Sequence, residues 1–166
     1  MRASWIRWIP MILIASTPLA AQDSSRVSLV IGLHGPGVLI SSSRDVAFRF
    51  DGTVSESSSS GIDVWSGTIG MSGLFYLRSW DALRSYVGPR VSYSYTGSGA
   101  NTKTWSGQFF FGTEYALGRR FGLFGELGPS YGRSTGTRVA FTGETVPTPS
   151  TTFWSIASGV GLLFRL

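Results

Sequence analysis

Between Thr152 and Leu166 large apolar side chains recur at every second position. Trp154, Ile156, Val160, Leu162, Phe164 and Leu166 share one parity, while Ser155, Ala157, Gly159, Gly161 and Arg165 share the other. An extended chain has period two, so this stretch predicts a strand with one greasy side and one small or polar side. Ser158 alone breaks the greasy row. The alternation returns along most of the chain, punctuated by turn-forming clusters, and predicts eight strands: 27–34, 37–42, 45–55, 62–78, 83–95, 103–117, 121–133 and 152–166. In the third, Val46, Phe48 and Phe50 lie on one side and Ala47, Arg49 and Asp51 on the other; in the fourth, Trp65, Ile69, Met71, Phe75 and Leu77 share the apolar side. Gly35 and Pro36 join the first two strands as a tight hairpin. The alternative of one bent strand over 27–42 gives an odd count, which single-chain bacterial barrels avoid.

The connections alternate in length. Those at 43–44, 79–82 and 118–120 are short, whereas 52–61, 96–102 and 134–151 are long and rich in Ser, Thr and Gly. Barrels of the outer membrane have short periplasmic turns and longer outer loops. The sequence therefore predicts an all-β, antiparallel, up-and-down transmembrane β-barrel of eight strands whose apolar parity faces lipid. Aromatic residues gather near the predicted strand ends, as amphipathic rings do at the two headgroup zones. Phe75, Trp80, Tyr86, Tyr115, Phe121 and Phe164 fall near the periplasmic end, and Trp65, Tyr93, Tyr95, Trp105 and Trp154 near the outer one. The bland alternative is that these rings fill a sandwich core.

Residues 1–21 read as a cleaved signal peptide, with Arg2 and Arg7 ahead of the apolar run Trp8 to Ile14 and a small-residue stretch from Ala15 to Ala21. Residues 22–166 then form one barrel domain, exported to the outer membrane of a bacterium. The apolar stretch of the leader is shorter than the ~20 residues a spanning helix needs, and Pro10 interrupts it. With no cysteine in the chain, lipoprotein acylation and disulfides are excluded, so backbone pairing and packing must hold the exported product together. Without Arg2 and Arg7, twelve basic residues stand against nine acidic ones, a net charge of about +3 with no basic run, which argues against nucleic acid as a partner.

The lumen parity carries Arg49, Asp51, Arg90, Glu114, Glu126 and Arg165. An eight-stranded barrel is only wide enough for side chains to fill it, so these charges must find partners inside. Glu114 and Glu126 flank the turn at 118–120 and read as near neighbours that need cations; Arg49, Arg90 and Arg165 are the candidates. Paired carboxylates also suit glycoside chemistry, but a filled lumen offers no sugar cleft and arginines hold both ionised. A conducting, porin-like pore meets the same limit of bore. His34 is the single histidine, beside Gly35 and Pro36, and any His-dependent catalysis must use it. One histidine and no cysteine argue against a zinc site, and no cofactor is expected. Gly88-Pro89 and Gly128-Pro129 each predict a bulge or local bend, since proline removes a ladder donor; the functional reading of such kinks is a lateral opening in the wall. The stretch 134–151, with Arg138, Val139 and Phe141, is the expected place for an extracellular partner.

Gly161, Phe164 and Leu166 resemble the assembly signal at the end of outer-membrane barrels, in which a glycine precedes alternating large apolar residues; Leu166 stands where Phe is commonest. With the strand count, the chain resembles the small eight-stranded outer-membrane β-barrel proteins of the OmpA and OmpX type. The resemblance implies contact with outer-membrane lipid and with the barrel assembly machinery through the last strand. The expected role is structural or interactive: a packed polar lumen, with envelope integrity or loop-mediated binding as the task. A lipid-modifying enzyme, similar to lipid A acyltransferases or deacylases and using His34, is the second reading. A periplasmic lipocalin-like binder is the third.

Overall fold

The computed structural model describes residues 26–32, 34–59, 62–80, 82–98, 100–139 and 144–166. The expected leader over 1–21 lies outside these residues, as does Phe141. Eight strands follow one another: β1 (Arg26–Gly32), β2 (Gly35–Ser41), β3 (Val46–Ser59), β4 (Ile62–Trp80), β5 (Leu83–Ser98), β6 (Ala100–Ala116), β7 (Phe121–Val139) and β8 (Thr145–Arg165). Each pairs antiparallel with its neighbour, and β8 returns to β1 through Ser28↔Arg165 to Gly32↔Gly161, so the sheet closes as an up-and-down barrel. Closure leaves every strand a partner on both sides over at least part of its length.

The strands run further than the alternation of apolar residues marks them. Most of the long Ser- and Thr-rich connections are the outer ends of β3 to β8. β-branched Thr suits a pleated surface, and inward hydroxyls pair across neighbouring strands: Ser55 with Ser66 at 2.6 Å, Thr68 with Ser94 at 2.9 Å, Ser92 with Ser106 at 2.6 Å and Thr104 with Ser134 at 3.1 Å. Hydrophobic periodicity misses the tips of these strands, such as 56–59, 96–98 and 100–102, because neither face is apolar there. The first hairpin also differs. Gly32 pairs with Gly35, so the bend comes before Gly35 rather than at Gly35-Pro36, and Pro36 sits within β2 opposite Ile31. Gly35 has φ +96°, a left-handed conformation that glycine adopts without steric cost, and it closes the bend.

The apolar parity points outward all round the ring. Ile69, Ile156 and Val160 are 68%, 78% and 76% exposed, whereas Arg49, Asp51, Arg90, Glu114 and Glu126 are all more than nine-tenths buried. This is the reverse of a sandwich or a lipocalin-like binder, in which the greasy side would face in. Cross-strand aromatic pairs ring the wall towards the long hairpins: Trp65 with Tyr95 at 5.6 Å, Tyr93 with Trp105 at 4.7 Å and Tyr131 with Trp154 at 4.8 Å between centroids. At the short-turn end Phe121 meets Phe164 at 5.1 Å. Tyr86, expected in that lower girdle, instead points into the lumen and is 1% exposed.

The two Gly-Pro pairs open the ladder without shifting it. Pairing of β4 with β5 lapses between Ser72↔Arg90 and Phe75↔Val87, and that of β6 with β7 between Gln108↔Ser130 and Phe111↔Leu127, with the register unchanged across each lapse. The real register shifts fall elsewhere, between Tyr76 and Arg78 and between Ser134 and Gly136. Proline deletes a donor but adds no residue, so it breaks a bond and creates no bulge.

Candidate functional site

Buried charge concentrates in the lumen. Four strands contribute to its central network: Arg49 and Asp51 from β3, Ser72 from β4, Tyr86 and Arg90 from β5, and Glu126 from β7. Alternation along each strand turns these side chains inward. Arg49 donates from Nη1 to Glu126 Oε1 at 2.6 Å and from Nη2 to Oε2 at 2.9 Å. Arg90 makes the same two-pronged contact with Asp51, 2.5 Å on each arm. The fork of a guanidinium matches the two oxygens of a carboxylate, which is why arginine and not lysine suits these places. Ser72 Oγ accepts from Arg90 Nη1 at 3.2 Å and from Arg49 Nη2 at 3.4 Å, and Tyr86 donates its hydroxyl to Glu126 Oε1 at 2.9 Å. Arg49 Nε lies 3.5 Å from Asp51 Oδ2, tying the two ion pairs into one unit.

A second network lies nearer the short turns. Arg165 of β8 pairs with Glu114 Oε1 of β6, and Tyr76 donates to Glu114 Oε2 at 3.2 Å. The Arg84 guanidinium lies 3.8 Å from the centroid of the Tyr76 ring and donates to the Arg44 carbonyl at 2.6 Å. Glu114 and Glu126 thus belong to separate networks. Each carboxylate has its own arginine, and Arg90 serves neither of them, because Asp51 takes it.

The lumen is less polar than the charged positions alone suggest. Val30, Leu39, Ala47, Leu74, Tyr86, Phe110, Phe124 and Leu163 form one buried apolar cluster. Arg49 passes between two of its rings, with the guanidinium carbon 5.7 Å from the centroid of Phe110 and 5.5 Å from that of Phe124. Large side chains face glycines: a Cβ on Gly112 would collide with the Tyr86 ring, one on Gly161 with the Phe124 ring, and one on Gly70 with the Arg90 guanidinium. Small opposite large is how a narrow barrel fills without voids, and it accounts for glycine at these three positions. The cavity left among Val30, His34, Arg49, Asp51, Phe124 and Glu126 holds about 10 Å³. That is near the lower limit for a single water.

Because β1 and β2 are only seven residues long, their hairpin stops short of the others and His34 lines this cavity rather than the outer rim. The carboxylates that line the cavity with it, Asp51 and Glu126, are already held by Arg90 and Arg49. Of the residues proposed as an assembly signal, Gly161 makes room for Phe124, Phe164 packs its ring at a tilt against that of Phe121, and Leu166 donates its N–H to the Val27 carbonyl at 3.1 Å. Ser72, Tyr76, Arg84 and Tyr86 are members of the networks that sequence reasoning did not single out. Ser72 shares the parity opposite Met71 and Phe75, and Tyr86 shares that of Arg90, so the alternation contained the signal. Tyr76 likewise lies opposite in parity to Phe75 and Leu77, and Arg84 shares the parity of Tyr86 and Arg90, so the same signal was present for both.

No protein-family model matches the chain, and no curated protein matches it either. Solved structures similar in fold include the following three. CarO of Acinetobacter baumannii is 13% identical, with 86% of this chain and 97% of that one covered and a TM-score of 0.46. A major outer membrane protein from Thermus thermophilus is 14% identical, with 87% and 100% covered and a TM-score of 0.48. Neisserial surface protein A is 14% identical, with 86% and 94% covered and a TM-score of 0.45. The likeness is one of strand architecture alone; the fold itself rests on the closed pairing of the eight strands.

Proposed function

We propose that this chain is an outer-membrane β-barrel whose lumen is closed by its ion-pair networks, and that it serves the envelope as a structural or interaction protein through its outer hairpins. The observation that carries the reading is the inversion of the molecule: greasy side chains cover the outside between two sets of aromatic rings, while charges fill the inside. Such a surface is unfavourable in water and favourable in hydrocarbon, where a closed barrel also satisfies backbone groups that an open sheet would strand. Closure of the lumen argues for support or binding over conduction. The β7–β8 hairpin, from Gly132 to Phe153 around residues 140–144, is the longest element available to an extracellular partner.

Heat modifiability tests the reading. Protein from a membrane fraction, run on a detergent gel without boiling, should migrate apart from the boiled sample, since a closed barrel survives the detergent until heated. A single band under both conditions, with the protein found in a soluble pool, overturns it.

A further inference from the structure

Ser158, which interrupts the apolar row of β8, marks a hollow in the outward face of the wall. Thr113 of β6, Gly125 of β7 and Ser158 form its floor, Phe111, Leu127 and Val160 stand around it, and it holds about 450 Å³. The register explains the shape. Phe111 pairs with Leu127 and Leu127 with Ser158, while Thr113 pairs with Gly125 and Gly125 with Val160. Large and small residues therefore alternate obliquely across three strands, and the small ones leave a trough. On an outward face of this kind, hydrocarbon is the surrounding solvent.

Below the trough, the turn between β6 and β7 presents Arg119 and Arg120, both exposed. From Tyr115 to Gly125 the sequence holds no acidic residue, and Glu114 is turned inward to Arg165. Two cations thus stand at the short-turn edge with no carboxylate beside them on that stretch. Arg120 and Gly125 are five residues apart, roughly 17 Å along a strand and about 12–14 Å along the membrane normal at the ~35–45° tilt of barrel strands, while one leaflet of hydrocarbon is about 15 Å deep. A lipid whose headgroup meets the arginines therefore brings its chain ends to the level of the trough.

Resting on the membrane reading above, we infer that the outer face of β6 to β8 holds one anionic phospholipid of the leaflet on the short-turn side. Its phosphate lies on Arg119 and Arg120 and the end of an acyl chain in the Thr113–Gly125–Ser158 hollow. The arginines supply the preference for negative charge, and the hollow supplies shape that the rest of the wall lacks.

The test is native mass spectrometry of the purified protein in mild detergent, offered phosphatidylglycerol, phosphatidylcholine of the same chains, or lipid A. Phosphatidylglycerol should be retained over phosphatidylcholine by a factor on the order of five for each arginine. The double variant Arg119→Gln, Arg120→Gln, altered only at an exposed turn, should bring the two to parity. Gly125→Val with Ser158→Leu, which fills the trough, should lower phosphatidylglycerol retention while the gel shift on heating confirms folding. Equal retention of the two phospholipids, preference for lipid A, a dimer mass in place of a lipid adduct, or undiminished binding by the filled variant each overturns the inference. Failure of the membrane reading is distinct: the protein would stay monodisperse without detergent.

Discussion

Arg49 and Glu126 stand 77 positions apart in the chain and meet across the lumen in two parallel hydrogen bonds of 2.6 and 2.9 Å. Breaking one side of a buried ion pair leaves the other charge without a partner, which costs about 3–5 kcal/mol. Glu126→Gln should therefore lower the free energy of unfolding, measured by urea titration in micelles, by an amount of that order. Arg49→Met combined with Glu126→Leu should recover most of the loss, because an apolar pair removes the stranded charge as well. Two losses that simply add would show that the pair is not coupled.

The lumen seal makes a second prediction. Planar bilayers containing the protein should show no stepwise conductance, since the space left among the central side chains is about 10 Å³. The variant Arg49→Ala, Arg90→Ala empties the two largest arms of the network and should open discrete steps. Steps of the same size in the unaltered protein would mean that the network does not close the bore.

Val160 separates a lipid wall from a wetted one. It lies outward on β8, 76% exposed, about midway between Trp154 and Phe164. Val160→Arg should cost roughly 2–4 kcal/mol in folding from urea into bilayers, the value for a cation at the membrane midplane. Ser155→Arg, on the lumen parity near the outer end, should cost much less. A surface in water would tolerate Val160→Arg within about 0.5 kcal/mol.

The Gly-Pro pairs are structural at their glycines. A Cβ on Gly88 would run into the Gly73 carbonyl oxygen, and one on Gly128 into that of Phe109, so each strand backbone would have to move. Gly88→Ala or Gly128→Ala should weaken folding by about 1–3 kcal/mol, the cost of forced overpacking. Gly107→Ala, where a Cβ meets nothing within 4 Å, should be near neutral in the same heat-modifiability series. Equal effects at all three positions would rule out the close approach as the cause.

β8 pairs with β1 only from Gly161 to Arg165, so above that level its β1 side carries no ladder among the described residues. Pro147 and Pro149 lie on this stretch. Proline on an edge denies a donor to any incoming strand. Pro147→Thr with Pro149→Thr should raise the oligomeric fraction in light scattering at fixed detergent, and an unchanged monomer would show that the edge is protected by other means.

Strand identity, the side each residue faces and the export of charge to the inside were legible in the sequence. All three follow from a period of two, which a single strand displays by itself: the row from Trp154 to Leu166 and the opposed row holding Arg165 needed no partner to be read. Partnership was not legible. Glu126 takes Arg49 rather than Arg90, and Glu114 takes Arg165, because curvature and closure of the sheet decide which inward side chains share a level across the lumen. The same closure sets Tyr86 against Gly112 and Phe124 against Gly161, and brings His34 to the cavity that Arg49, Asp51 and Glu126 also line. Alternation specifies inside or outside; the angle around the barrel exists only once β8 has closed on β1.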